Sequence, residues 1–568
     1  MRRWIVIFCL LLSSAPILLR AENSNPAPKP GMDVEVLREV VIQEGGRKKP
    51  FDTFARETVR TVTGREKFQG FDPTELILSW LTQTKDWEKA PILDAGYKPL
   101  QQQVGLKPVN NRVAPADLAA NKEFALFMQT VTAKQQEGAG LSELERHAAQ
   151  LLTRLNLFYS VTSGAALHLL PQSSGDWESL ETLARRYPNL SAMQAAPSTE
   201  AKVAGAVQGV LSSYYGNDPA LFGQMSIMLR DLLKQQGQVI GDYPSAADMQ
   251  RELRLNTLKP FRIAWLVYAL AFFLLVCGLW TKGRGLYWTG MAVLIAAFGI
   301  HVYGFTLRCL IAGRPPVTNM YESVIWVSFG VALFAIIFEL IYKARYYAVA
   351  AAALATLLLV VADSVPSILD PAIDPLVPVL RSNYWLTIHV LTITLSYAAF
   401  ALALGVGNFS LGYYIFKPGA MEKASQLNYF IYRSIQVGVV LLAAGTILGG
   451  VWANASWGRF WGWDPKEVWA LIALLGYLVI LHGRYAGWLR GFGLAVGSIL
   501  AFLLVLMAWY GVNFILGVGL HSYGFSSGGA KGMALFVGIE LLWVAFAAFR
   551  YKMLFKSPAA AAKPAETF

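Results

Sequence analysis

The chain has 568 residues, enough for more than one domain, and its 55% hydrophobic and 13% aromatic content exceeds ordinary globular usage. The net charge of +12 comes without a basic stripe interleaved with aromatics, which argues against a nucleic-acid partner, and excess Lys and Arg is usual on cytoplasmic membrane loops. Three cysteines, Cys9, Cys277 and Cys309, all fall in or beside apolar runs, so no disulfide framework is expected, and the absence of Cys-x-x-Cys-His excludes a chain that carries covalently attached haem itself.

Arg2 and Arg3 followed by an apolar run from Trp4 to Leu19 form an export signal over residues 1–21, either cleaved or retained as an anchor, since Leu19 and Arg20 interrupt a small-x-small cleavage site. A Pro-, Asn- and Ala-rich linker follows. Residues 22–259 are expected to form a mostly helical extracytoplasmic domain, with apolar spacings of three and four in Pro73 to Leu81, Leu141 to Leu157, Trp177 to Leu183 and Leu221 to Leu233. Val34, Val36, Val40 and Ile42 predict a strand before the Gly45-Gly46 turn. His147 and His168 stand alone, without a second ligand at metal spacing, and read as solvated or packing histidines.

Residues 260–556 change character, and apolar runs follow one another with short connections. Nine spans are predicted, at about 262–280, 286–306, 320–342, 346–362, 385–416, 431–451, 468–484, 492–513 and 533–550. The fold class is therefore an all-α polytopic membrane protein with about nine transmembrane helices, ending in a cytoplasmic tail, 557–568. Lys343, Arg345, Lys417, Lys423, Arg484, Arg490, Arg550 and Lys552 collect on one side, which is cytoplasmic by the positive-inside rule. With the preceding domain exported, counting spans then puts the connection between the sixth and seventh outside.

That connection holds the densest motif of the chain. WANASWGRFWGWDPKEVW, Trp452 to Trp469, contains five tryptophans. Trp457 and Trp461, four apart, would share a face on a helical turn, and Phe460, Trp463 and Trp469 enlarge the aromatic surface, which suits a flat ligand. Asp464-Pro465-Lys466-Glu467 reads as a capping box that starts the next span. An interfacial aromatic belt would use the same residue type, but belts scatter over many span ends. Asn319 and Glu322, in Asn319-Met320-Tyr321-Glu322-Ser323, predict a second helix start.

The order WGxxWxWD followed by PKE resembles the tryptophan-rich signature of haem-handling membrane proteins, most closely the CcsA branch of system II cytochrome c synthases. The segments GRKKPFDTFARETVRTVTGR and YPSAADMQRELRLNTLKPF resemble parts of long CcsA-like and fused CcsBA proteins. The resemblance implies a haem lyase that takes haem b as bound substrate. Haem would enter near His482 from the cytoplasmic side, stack on Trp457, Trp461, Trp463 and Trp469 at the outer face, and be ligated there by His389 and His521. Vinyl groups would then receive the CxxCH thiols of apocytochrome c. Implied partners are that apocytochrome, a CcsB/ResB-like membrane protein, a thiol-reducing system and membrane lipid, in a bacterial inner membrane. A haem transporter or chaperone without ligation activity, as in the CcmC branch, is the alternative. His301 is a further candidate ligand, nearer the outer face than the inner site requires. Arg308, Arg314 and Arg459 are candidate partners for haem carboxylates, since guanidinium binds carboxylate bidentately. No catalytic nucleophile is evident, and no GxSxG, Walker or zinc-protease motif is present.

Overall fold

The computed structural model describes residues 29, 31–195, 198–281, 284–366, 368–376, 382–517 and 528–555. The export signal with Cys9, the tail 557–568, and the loop residue His521 lie outside the described residues. The chain divides into two compact units. One comprises the described part of the chain up to Glu44, with Pro50–Gly138 and Ala148–Tyr243; the other comprises the short segments Gly45–Lys49 and Ala139–His147 and the chain from Pro244 onward.

The first unit is mostly helical. Pro73–Leu81 is a helix whose N-cap, Asp72, accepts the Thr74 amide, and Pro219–Ile240 is capped in the same way by Asp218. Trp80 and Phe222 on these helices, with Phe158 and Tyr214 on Glu143–Thr162 and Thr199–Gly216, are fully buried. Two local expectations are corrected. Val34 and Val36 do not join the strand: Glu35–Arg38 is a helical turn held by the Arg38–Glu35 ion pair, Val40 precedes the strand, and the strand is Val41–Glu44. Trp177 to Leu183 is not one helix. Glu178–Ser179 pairs antiparallel with His168–Leu170, and Ser179 then caps a helix that begins at Leu180. His168 is a packing residue, its Nδ1 on the Trp177 carbonyl at 2.7 Å, and among the described residues no cluster of His, Cys, Asp and Glu has metal-site geometry.

In the second unit, nine helices among the described residues are long and apolar enough to cross a membrane. Their α-helical parts are α1 Pro260–Thr281, α2 Arg284–Ala312, α3 Met320–Tyr342, α4 Tyr346–Ser364, α5 Leu391–Phe416, α6 Met421–Trp457, α7 Pro465–Tyr485, α8 Gly491–Leu506 and α9 Ala530–Phe555, and π-helical turns lengthen the fifth span to Thr387–Phe416 and the eighth to Gly491–Leu516. Ala246–Leu258, capped by Ser245, leads into α1 through Lys259 in the left-handed region. The chain is therefore a multi-span membrane protein.

The fifth span is the most enclosed, with 67% of its apolar window buried, against 11% for α9. An apolar helix exposed to that degree is stable only in lipid. Small residues allow α6 to approach α5 closely: a Cβ on Gly445 would lie 2.7 Å from Ile393 Cβ. Deeper in the bundle Phe400 of α5 stacks on Tyr477 of α7, with centroids 3.7 Å apart. Helix α6 has 37 residues, roughly 55 Å at 1.5 Å per residue, against a hydrocarbon core of about 30 Å. It is therefore longer than one crossing needs, and Trp452 and Trp457 lie in its last two turns.

Candidate functional site

Gly458, left-handed at φ 69°, ends α6 immediately after Trp457, its amide on the Asn454 carbonyl. Contrary to the expectation from their spacing, Trp457 and Trp461 consequently do not share a helical face. Trp457 closes the helix, and Trp461 is carried back by the loop that follows. That loop is held by the capping box read from the sequence: Asp464 accepts the Lys466 amide at 3.0 Å, and the Glu467 carboxylate accepts Gly462 N–H at 2.8 Å and Asp464 N–H at 3.2 Å. The two amides on Glu467 flank Trp463, whose φ of 57° is unusual for a bulky residue. One carboxylate thus fixes a strained aromatic position from both sides.

Under this loop lies a cavity of about 180 Å³ walled by α3, α5, α6, α7 and the turns that extend α5 and α8. Trp452, Trp457, Phe460 and Trp461 form its aromatic side. Trp463 does not line it: the indole packs edge-on to Trp461 at 6.0 Å and is 73% exposed. Trp469 does not line it either.

His389 reaches the cavity from a π-helical turn, Leu386–Val390, that precedes α5. Such turns offset side chains from the α-helical register and recur at functional sites. The Nδ1 of His389 lies 2.8 Å from the Gly445 carbonyl, and because a carbonyl only accepts, Nδ1 carries the proton. In its neutral form the ring then has its lone pair on Nε2, the form in which histidine binds a metal. Trp452 packs edge-on to the ring at 5.6 Å, and a Cβ on Gly449 would come within 2.6 Å of its Cε1. The opposite wall comes from a second π-helical segment, Met507–Leu516. It supplies Trp509, whose indole N–H donates to Ser323, and buried Asn513.

Other predicted site residues lie elsewhere. His482 is in the last turn of α7, away from the cavity wall, with Nδ1 on the Leu478 carbonyl at 2.7 Å. It is roughly 25 Å along the helix from the cavity end. His301 is fully buried among Phe261, Tyr268 and Phe329, which meet its ring edge-on, and it does not line the cavity.

Two of the three candidate arginines are engaged in structure. Buried Arg308 pairs with buried Glu322 at 2.8 Å and donates to Pro371 O, while Arg314 donates to Asp374 O. Glu322 also receives Thr318 N–H and Oγ1–H, and Asn319 caps α3 through the Glu322 amide. Glu322 thus reaches back one residue further than a capping box predicts. The network fixes the Val317–Met320 turn that closes one side of the cavity. Arg459 alone stays with the tryptophans, its guanidinium 5.9 Å from the Trp457 ring.

Sequence reasoning missed Lys466, Trp509 and Asn513 as wall residues. Lys466 was hidden inside a capping motif; a polar Asn513 within an apolar span was the available signal for the π-helical wall.

These helices form a polytopic membrane bundle with a histidine- and tryptophan-lined cavity. A family model described as Cytochrome C assembly protein matches residues 317–521, which include every wall residue of the cavity. A CcsA cytochrome c biogenesis protein of Prochlorococcus marinus (strain AS9601) is 37% identical over 252 residues, covering 39% of this chain and 80% of that protein. A CcsA protein from another strain of the same species is 32% identical over 306 residues, covering 48% of this chain and 96% of that protein. Protein NrfI of Wolinella succinogenes is 30% identical over 505 residues, 85% of this chain, and the chain spans about half of NrfI, 54% of its length. The chain belongs to the CcsA family of cytochrome c biogenesis proteins.

Proposed function

We propose that the chain acts in cytochrome c maturation as a haem lyase subunit of a bacterial inner membrane, holding haem b as substrate at the extracytoplasmic cavity and presenting it to apocytochrome c. The observation that carries this reading is His389: an imidazole oriented by Gly445, packed on Trp452 and lining the aromatic cavity. The cavity volume is below the ~300–1,000 Å³ of sites that engulf a small molecule. A macrocycle would therefore lie across the mouth, against Phe460 and Trp461, rather than be swallowed. His521 is the second axial ligand in this reading, and His482 marks the cytoplasmic entry.

The chemistry needs position rather than a nucleophile. Each CxxCH thiol adds across a vinyl C=C: the S–C bond forms, the thiol proton goes to the other vinyl carbon, and no electrons are lost. Holding thiol and vinyl group together converts a bimolecular addition to an effectively unimolecular one. A thiol-reducing system keeps the cysteines competent, and a CcsB/ResB-like protein is the expected membrane partner.

The test is expression of the chain, with its partner, beside a CxxCH reporter. His389→Ala is expected to abolish haem that survives acid and denaturant, with partial rescue by added imidazole. Undiminished covalent haem in that variant overturns the assignment of His389. Haem that co-purifies with the wild-type protein but never becomes covalent identifies a transporter instead.

A further inference from the structure

We propose that Ser323 and Trp326 are positioning residues that set the width of the cavity by tying its two π-helical walls to one helix, α3; this rests on the haem-binding reading above. A π-helix is rare and mostly confined to a single turn, so a ten-residue stretch such as Met507–Leu516 needs contacts from outside to keep its register. The shorter turn Leu386–Val390, which carries His389, is under the same constraint.

Each wall is joined to α3 through an indole N–H. On the α8 side, Trp509 donates to Ser323 Oγ at 2.9 Å, and the Ser323 hydroxyl donates in turn to the Met320 carbonyl at 2.8 Å. Trp509 and Ser323 are both buried, and hydrogen bonds linked in a chain away from water strengthen one another. Asn513 donates its Nδ2–H to the Trp509 carbonyl at 3.0 Å, so the residue gripped by α3 also holds the next residue of the wall. On the α5 side, the Trp326 indole N–H donates at 3.3 Å to the carbonyl of Leu391, the residue that follows the π-helical turn. The Trp326 ring is itself fixed by a parallel stack on Phe329, with centroids 4.9 Å apart.

Ser323 and Trp326 are three residues apart, which makes them neighbours on the surface of α3. A turn further along, α3 lies directly on α5: a Cβ on Gly330 would fall 2.7 Å from Ala398 Cβ. One short stretch of α3 therefore spaces the wall that carries His389 from the wall that carries Trp509 and Asn513. A slip of one residue in either wall would turn the side chains beyond it by about 100°, at 3.6 residues per turn, and take them out of the cavity. A flat ring held on His389 meets the opposite wall at the distance α3 allows. These bonds thereby govern how deeply the ring is buried, and burial is one of the levers on the potential of a haem iron.

The experiment reads the reduction potential of haem bound to the purified full-length protein, together with the amount of haem retained. Ser323→Ala and Trp509→Phe remove the two ends of one bond. Each is expected to shift the potential and to lower haem retention roughly threefold to tenfold, the scale of one buried hydrogen bond. The double variant should be no worse than the more affected single one, because both act through the same contact. Trp326→Phe should also shift the potential, and Ser323→Thr, which keeps the hydroxyl, should behave as wild type. Tyr347→Phe is the control: it removes a 2.7 Å hydrogen bond to the Phe430 carbonyl away from the cavity wall and should leave the potential unchanged. Ser323→Ala deletes a single oxygen, so the test stands even where the larger change at Trp509 prevents folding. Unchanged potentials in Ser323→Ala and Trp326→Phe, additive losses in the double variant, or an equal shift in Tyr347→Phe would each overturn the role of α3 while leaving the haem site standing. Failure of the wild type to retain haem removes the haem reading, and this inference with it.

Discussion

At the residue scale the cavity depends on positions with no spare volume. Gly449 faces the imidazole of His389 and Gly450 faces the ring of Phe460, each with room for no more than hydrogen, since a Cβ would fall 2.6 Å from its neighbour. The neighbours differ in their ability to yield. His389 is tied to Gly445 O and packed on Trp452, whereas Phe460 is 50% exposed and can swing outward. Gly449→Ala should therefore displace His389 at an overpacking cost of about 1–3 kcal/mol and lower the haem retained, while Gly450→Ala should be nearly silent. Haem absorbance per protein after purification measures the difference, and equal losses in both variants would mean that the His389 ring is not the sensitive part. His389 was legible in the sequence because a histidine within an apolar span is costly and calls for a reason. Lys466 was not, because beside Asp464 and Glu467 it looks like one more charge in a helix start.

At the element scale, helix starts were read correctly from local chemistry: Asp464 with Glu467 at α7 forms the full capping box, and Asn319 caps α3 through the Glu322 amide. What the sequence hid were the two π-helical turns, because a register shift of one residue leaves no compositional mark. It also hid the pairing of Arg308 with Glu322, fourteen positions apart. Removing one partner of such a buried pair leaves an uncompensated charge, so Arg308→Met should destabilise the protein by about 3–5 kcal/mol. Adding Glu322→Gln should recover much of that loss, because the amide still accepts from Thr318 and the stranded charge is gone. Thermal unfolding in detergent reports both steps, and no recovery in the double variant would argue against charge as the cause. The loop after α6 makes a parallel prediction. Trp457→Ala and Trp461→Ala, at the cavity wall, should each lower haem retention roughly threefold to tenfold, and Trp463→Ala and Trp469→Ala less. Equal losses at all four would return the segment to an interfacial belt.

At the scale of the whole molecule, the membrane portion was legible because about twenty apolar residues between charged ends have one physical solution in lipid. Span ends were less so: α6 begins at Met421 and ends at Trp457, beyond its predicted limits of 431 and 451 on both sides, because polar turns outside the bilayer continue a helix that hydropathy alone truncates. Orientation is argued from charge. Lys343 and Arg345 between α3 and α4, Lys417 and Lys423 between α5 and α6, and Arg484 and Arg490 between α7 and α8 fall on one side of an alternating path. The tryptophan loop between α6 and α7, like the turn between α2 and α3, falls on the other. With nine spans, the segment before α1 and the segment after α9 must lie on opposite sides. A reporter fused after Phe568 is therefore expected to behave as cytoplasmic, and one fused after Gly517, beyond the eighth span, as exported. Matching signals from the two fusions would require an even number of crossings between them. That result would remove α9, the least buried of the nine helices, from the membrane, while the site at the α6–α7 loop would keep its side.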